Sequence, residues 1–143
     1  MVKKGRPPKF KSKDEMQEKI DAYFEECKGR VLTDDEGKVI TDKYGQPVII
    51  DRKPLTVTGL ALALGFSSRQ SLLDYEAKKE FLDTITRAKA RVEEYTEMML
   101  FDKNASNGAK FSLANNFEGW KDKKNVEAEL KDDMHISIEL SED

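Results

Sequence analysis

The sequence has few of the residues that carry chemistry. Cys27 is its only cysteine, His135 its only histidine and Trp120 its only tryptophan. One cysteine excludes an intrachain disulfide, which fits a reducing compartment. A structural zinc site takes about four nitrogen or sulfur ligands, so one copy of this chain cannot build one. A nucleophilic triad would have to use His135, which lies in an alternating tail. No G-x-x-x-x-G-K-[ST] loop is present to cradle ATP phosphates. The paired acids Asp132-Asp133 read as solvated charge. No catalysis, metal or cofactor is therefore expected. No apolar run reaches the ~18 residues of a membrane span. The basic start is not followed by an apolar stretch, so no signal peptide is expected either.

Charge is plentiful: 37% of the 143 residues are charged and 38% are hydrophobic. A large core within one copy is not expected; solvated helices or a core completed by other copies fit better. The net charge of −3 conceals a polarity. Residues 1–13 hold Lys3, Lys4, Arg6, Lys9, Lys11 and Lys13 and no acid; the remaining 19 bases face 28 acids. The last twelve residues hold five acids and no Lys or Arg. A basic head points to nucleic acid or another acidic surface.

Residues 1–12, with Pro7-Pro8, read as a flexible basic arm. Its KKGRPPK core can bind phosphates, lie in an A·T-rich minor groove, or simply be solvated. Over 13–28, Met16, Ile20, Tyr23, Phe24 and Cys27 form one apolar stripe, with Ser12 as N-cap and Gly29 at the end, which predicts a helix. At 30–51 the period changes. RVLTDDEG is echoed by KVITDKYG, then QPVIID follows. This predicts a meander of three short strands with turns at 34–37 and 42–45. The acids at 34–36 lack EF-hand spacing and read as turn chemistry.

TVTGLALALGFSSRQSLLDYE over 56–76 predicts two short helices around Gly65. Leu60, Ala61, Leu64, Phe66, Leu72 and Leu73 form their inner face, and Ser67 or Ser68 caps the second. This is the pattern of a helix-turn-helix. The second helix would expose Ser68, Arg69 and Gln70, and Arg and Gln have the bidentate geometry that reads guanine and adenine edges. A plain helical hairpin with a solvated face is the alternative. Candidate DNA contacts are Lys3, Lys4, Arg6, Lys9, Lys11, Ser68, Arg69, Gln70, Lys78 and Lys79.

Residues 78–103 carry an a/d seam of Phe81, Ile85, Ala88, Val92, Tyr95 and Met99, which predicts a long helix. A break at 104–108 precedes a second helical pattern at 109–117, expected to fold back antiparallel. The seam, with Phe111, Phe117 and Trp120, is the candidate contact between copies. In the tail, Met134, Ile136, Ile138 and Leu140 alternate with polar residues, which predicts a strand and a candidate partner-binding face.

The expected class is mainly α. The expected domains are an arm at 1–12, a helix-turn-helix domain at 13–76 with the meander inserted at 30–51, a helical-hairpin oligomerisation domain at 77–124, and an acidic β tail at 125–143. GRPPKF, PLTVTGLALALGFSSRQSLLDYE, EFLDTITRAKARVEEYTEMML and NGAKFSLANNFEGWKDK, in this order, resemble the small terminase subunit of tailed bacteriophages, a DNA-packaging protein family. The resemblance covers roughly residues 5–24 and 54–124. It implies a non-catalytic, ring-forming homo-oligomer in the host cytoplasm. Such a protein binds double-stranded viral DNA at the packaging initiation site and hands it to the large terminase subunit, which carries the ATPase and nuclease. Arg69 and Gln70 would lie at the base-reading surface, and the tail would meet the large subunit. One departure is that Ser71 and Asp74 stand where a repressor-type motif has apolar residues, which implies a lengthened turn. Two other readings remain: a dimeric helix-turn-helix transcriptional regulator, and a scaffold that binds protein only.

Overall fold

The computed structural model describes residues 10–121. Their secondary structure is mainly helical, with one small antiparallel sheet. In chain order the elements are α1 (Lys13–Cys27), β1 (Arg30–Val31), β2 (Ile49–Ile50), α2 (Val57–Ala63), α3 (Arg69–Glu76), α4 (Leu82–Met98), a 3-10 turn (Met99–Phe101) and α5 (Ser106–Asn116). The chain divides into two compact units, one through Tyr95 and one from Thr96 onward. The expected tail strand lies outside the described residues.

In the first unit, α1 forms as its stripe requires. Met16, Ile20, Tyr23, Phe24 and Cys27 are all buried, and the Ser12 hydroxyl accepts the Glu15 N–H. The Tyr23 hydroxyl then sets the start of α2: it accepts the Thr56 N–H at 3.1 Å and donates to the Thr56 carbonyl at 3.3 Å. Burial pushes the Tyr23 phenol up from its ordinary value, which keeps the donated proton in place. Thr56 caps α2 by accepting the Gly59 N–H at 2.9 Å. Gly59 has to be glycine here, because a Cβ would overlap the Tyr23 hydroxyl and crowd Thr56 Oγ1.

The insertion after α1 corrects the expected meander. In a meander the outer strands do not meet, yet β1 pairs with β2, with Val31 opposite Ile49. Two single bridges, Thr33 to Val39 and Thr41 to Pro47, complete the set. Each pairing is the previous one advanced by eight residues, and the third returns to the first strand. The N–H of Leu32 donates to Val48 O at 2.8 Å, that of Val48 to Ile40 O at 3.0 Å, and that of Ile40 to Leu32 O at 2.9 Å. The element is a closed triangle with approximate threefold repetition. Gly29, Gly37 and Gly45, also eight apart, precede its three sides with φ of 81°, 82° and 80°. At two corners an aspartate side chain holds the turn: Asp34 accepts the N–H groups of Glu36 and Lys38, and Asp42 those of Tyr44 and Gln46. The third corner is the neck. There the Lys53 N–H donates to Cys27 O at 3.0 Å, and the Arg30–Asp51 and Lys53–Glu26 ion pairs flank the crossing.

The expected helix over 78–103 is shorter, Leu82–Met98, because residues 78–81 turn and residues 99–101 tighten to 3-10 geometry. In the second unit, α5 packs on that 3-10 turn and buries Ala109 and Leu113.

Two glycines in helices test this account in opposite directions. Gly59→Ala should lower stability by about 1–3 kcal/mol through overpacking. Gly108→Ala, in the first turn of α5 with open space around it, should raise it by up to about 1 kcal/mol. Thermal unfolding of both variants reads the contrast, and equal shifts would refute the Tyr23–Gly59 constraint.

Candidate nucleic-acid interface

The α2–α3 pair follows from local rules. Leu60, Ala61, Leu64, Phe66 and Leu72 are buried and Leu73 half-buried, whereas Leu62 and Ala63 face solvent. The end of α2 is a Schellman closure: Gly65, with φ of 86°, donates to Leu62 O, and Phe66 donates to Ala61 O. Five residues, Leu64 to Ser68, separate the helices, so the turn is longer than the 3–4 residues usual for this motif. Ser68 starts α3. Its hydroxyl accepts the Ser71 N–H at 3.1 Å and pairs with the Ser71 hydroxyl at 3.0 Å. The Ser68 side chain is thus a cap before it is a contact.

Arg69 and Gln70 open α3, Arg69 half-exposed and Gln70 exposed. The Gln70 amide donates to Asp74 at 2.9 Å, which holds it extended along the helix surface. At the other end of α3, Lys78 Nζ stands 4.3 Å from the centre of the Tyr75 ring, and Lys79 is exposed beside it. Lys11 is exposed, and its backbone N–H is fastened to Glu15. Lys3, Lys4, Arg6 and Lys9 lie outside the described residues.

The surface around α3 carries Arg69, Lys78 and Lys79 together with the exposed acids Asp74 and Glu80. On α1, Asp14, Glu18, Asp21 and Glu25 are exposed at helical spacing, an acidic stripe that repels phosphate. Glu76 and Lys89, both largely buried, pair at 3.0 Å, and the Thr86 hydroxyl donates to the same carboxylate. That removes one acid from the field of α3 at the cost of one surface cation. Among the described residues no cluster of His, Cys, Asp and Glu could hold a metal ion.

One residue escaped the sequence reading. Phe10 stands inside the segment read as a flexible arm, yet it is 1% exposed. Its ring centre lies 6.1 Å from Phe66, 6.0 Å from Tyr75 and 6.5 Å from Phe81. Its N–H donates to the Tyr75 hydroxyl at 3.4 Å, and Lys19 Nζ sits 5.4 Å above it. The only signal was a single aromatic between two lysines.

The residues expected at contacts between copies are divided. Phe81, Ile85, Ala88 and Val92 are buried within this chain. The physical reason is that a seven-residue seam fits any apolar neighbour, and here the chain's own core supplies it. Tyr95, Met99, Phe117 and Trp120 are half-buried, and Phe111 is 73% exposed. Met134, Ile136, Ile138 and Leu140 lie outside the described residues.

The sequence model of the DNA-packaging protein gp3 family matches residues 5–126. The chain belongs to that family. Comparison with curated proteins and with solved structures returns no match. The gp3 family match agrees with the resemblance to the small terminase subunit and supports a phage packaging role. It runs from Gly5 through the α2–α3 pair and into the second unit, ending at residue 126. Among the described residues no helix is long and apolar enough to cross a membrane.

The cap on α3 is testable by itself. Ser68→Ala should cost about 1 kcal/mol, read as a lower melting temperature, whereas Ser67→Ala should be neutral. Equal behaviour of the two would remove Ser68 from the cap.

Proposed function

We propose that this gp3-family protein is the non-catalytic DNA-recognition subunit of a phage packaging machine. It works as a ring of identical copies in the host cytoplasm and delivers double-stranded viral DNA to a large ATPase/nuclease subunit. The observation that carries the reading is the presentation of Arg69 and Gln70 at the head of α3. That helix is capped, is buried on its opposite side, and belongs to a chain of a DNA-packaging family. The α2–α3 pair acts as a helix-turn-helix with a lengthened turn, and Lys78 and Lys79 contact phosphates at the far end of α3. The basic head adds Lys3, Lys4, Arg6, Lys9 and Lys11. In a ring each modest arm is repeated, so avidity replaces individual affinity. The acidic stripe of α1 keeps DNA to one side.

Copies associate through the second unit, where Phe101 is 88% and Phe111 73% exposed. Large exposed aromatics of this kind mark interaction surfaces. The tail, with Met134, Ile136, Ile138 and Leu140, serves the large subunit.

Electrophoretic mobility shifts against duplex DNA over a salt series test the recognition role. Arg69→Ala with Gln70→Ala should weaken binding to a preferred duplex at least tenfold, and removal of residues 1–9 should flatten the salt dependence. No binding by the intact chain at low salt would refute the reading. Native mass spectrometry tests the assembly. Phe101→Ser with Phe111→Ser should lower the mass of the particle while the chain stays folded. Val92→Asp should instead unfold the first unit, since it places a charge at a site only 2% exposed.

A further inference from the structure

The closed triangle leaves one of its faces without charge. Residues opposite each other in an antiparallel pair share a face, and so do residues two apart in a strand. The pairings are Val31 with Ile49, Thr33 with Val39 and Thr41 with Pro47. Steps of two residues, 31 to 33, 39 to 41 and 47 to 49, join these pairs into one circuit, so all six side chains lie on the same face. All six are exposed, Val31 to 40%, Val39 to 45% and Ile49 to 40%. None is charged, although residues 30–53 hold ten charged side chains. Those stand at the corners, at the neck or, as Arg30 and Lys38 do, on the opposite face. In an antiparallel element the face turned to water is normally the polar one. This face is a platform of five β-branched residues and a proline that the chain itself leaves uncovered.

The second unit has an apolar surface of another shape. Phe101 in the 3-10 turn is 88% exposed, Phe111 in α5 73%, and the two elements pack together. At roughly 150–250 Å² for a whole aromatic side chain, the pair exposes roughly 250–400 Å². A stable interface takes about 800 Å² a side, a little over half of it apolar. The aromatics can therefore form its centre only where the opposing surface is apolar as well. A ring also needs two different surfaces on each chain, because a patch that meets its own copy closes at a dimer. Platform on platform would close in that way and leave both phenylalanines in water. Outside the triangle, the other large apolar side chains exposed in the first unit, among the described residues, are Leu62 and Leu82. Leu62 lies on α2, within the proposed DNA module, and Leu82 is a single side chain beside exposed Asp83.

We infer that the uncharged face of the β triangle is the second half of the contact between copies: it receives Phe101 and Phe111 of the next copy. This rests on the reading that copies form a ring through the second unit, and it names the surface that those aromatics meet. The insertion then has a role that its lack of a core leaves open. It is a flat platform held in shape by backbone closure, with its side chains free for a neighbour.

Cross-linking between full-length chains tests it. Val39→Cys and Phe111→Cys are placed in separate chains, one of them tagged, co-assembled in equal amounts and treated with a short bismaleimide; buried Cys27 stays unlabelled. The expected product is a covalent dimer of the two different chains, with none from either variant alone. If Phe111→Cys does not assemble, Lys110→Cys, exposed beside it, takes its place. A dimer from Val39→Cys alone would mean that the platform meets its own copy, and a dimer only from Phe111→Cys alone that the aromatics meet theirs; either overturns the inference. So does the absence of any cross-link in a particle of native mass. Independently, Val39→Lys should raise the protein concentration needed for assembly at least about tenfold, with the melting temperature of the dissociated chain unchanged. Assembly unaffected by Val39→Lys but weakened by Phe101→Ser with Phe111→Ser overturns the inference and leaves the role of the second unit standing. A native chain that stays monomeric removes the ring reading, and the inference falls with it.

Discussion

Four aromatic rings join the pieces of the first unit that local sequence cannot hold together. Phe10 is far in the chain from Phe66, Tyr75 and Phe81, yet the ring centres of the four are 4.9–6.5 Å apart where they meet. Each such pair contributes about 0.5–1.5 kcal/mol beyond burial, and a buried phenylalanine side chain about 1.5–3 kcal/mol. The helix that depends most on them is α3. With eight residues it is too short to persist by propensity. Its cap supplies about 1 kcal/mol. Burial of Leu72 and Tyr75 must supply the rest, so the surface that presents Arg69 and Gln70 exists because its back is packed.

The β insertion solves the opposite problem. It has almost no buried side chains, and Val31, Val39, Ile40 and Ile49 all remain substantially exposed. A flat two-stranded ribbon of this kind is marginal in water. Closure replaces packing: three backbone hydrogen bonds run in a ring among Leu32, Ile40 and Val48, and two aspartates take up the N–H groups at the corners. The ion pairs at the neck are exposed and add little. The Lys53 N–H to Cys27 O bond is what returns the chain to the helical body.

Charge is partitioned along the same lines. The basic head enters the fold at Phe10, beside α3, whereas α1 turns an acidic stripe outward. The largely buried pair of Glu76 with Lys89 is tied to α4 and does not act at the surface. The net charge of −3 therefore averages over regions of opposite sign.

Local order was legible in the sequence because short-range physics sets it. The stripe of α1, the Ser12 and Ser68 caps, the turn at Gly65, the aspartate turns and the lengthened loop before α3 all follow from spacing and side-chain chemistry within a few residues. The gp3 family is likewise carried by linear motifs, as its match over residues 5–126 shows. What required the tertiary structure was the identity of each partner. The period of Phe81, Ile85, Ala88 and Val92 specifies an apolar face and not the surface that covers it, and that surface belongs to the same chain. The echo at 30–45 specifies turns, but the third member, 46–53, has neither the Thr-Asp pair nor the glycine, so closure into a triangle shows only in the pairing of β1 with β2. Phe10, flanked by Lys9 and Lys11, reads as part of a solvated arm until distant rings enclose it. In each case a local pattern fixes which face is apolar, and only contacts between residues far apart in the chain decide what that face is buried against.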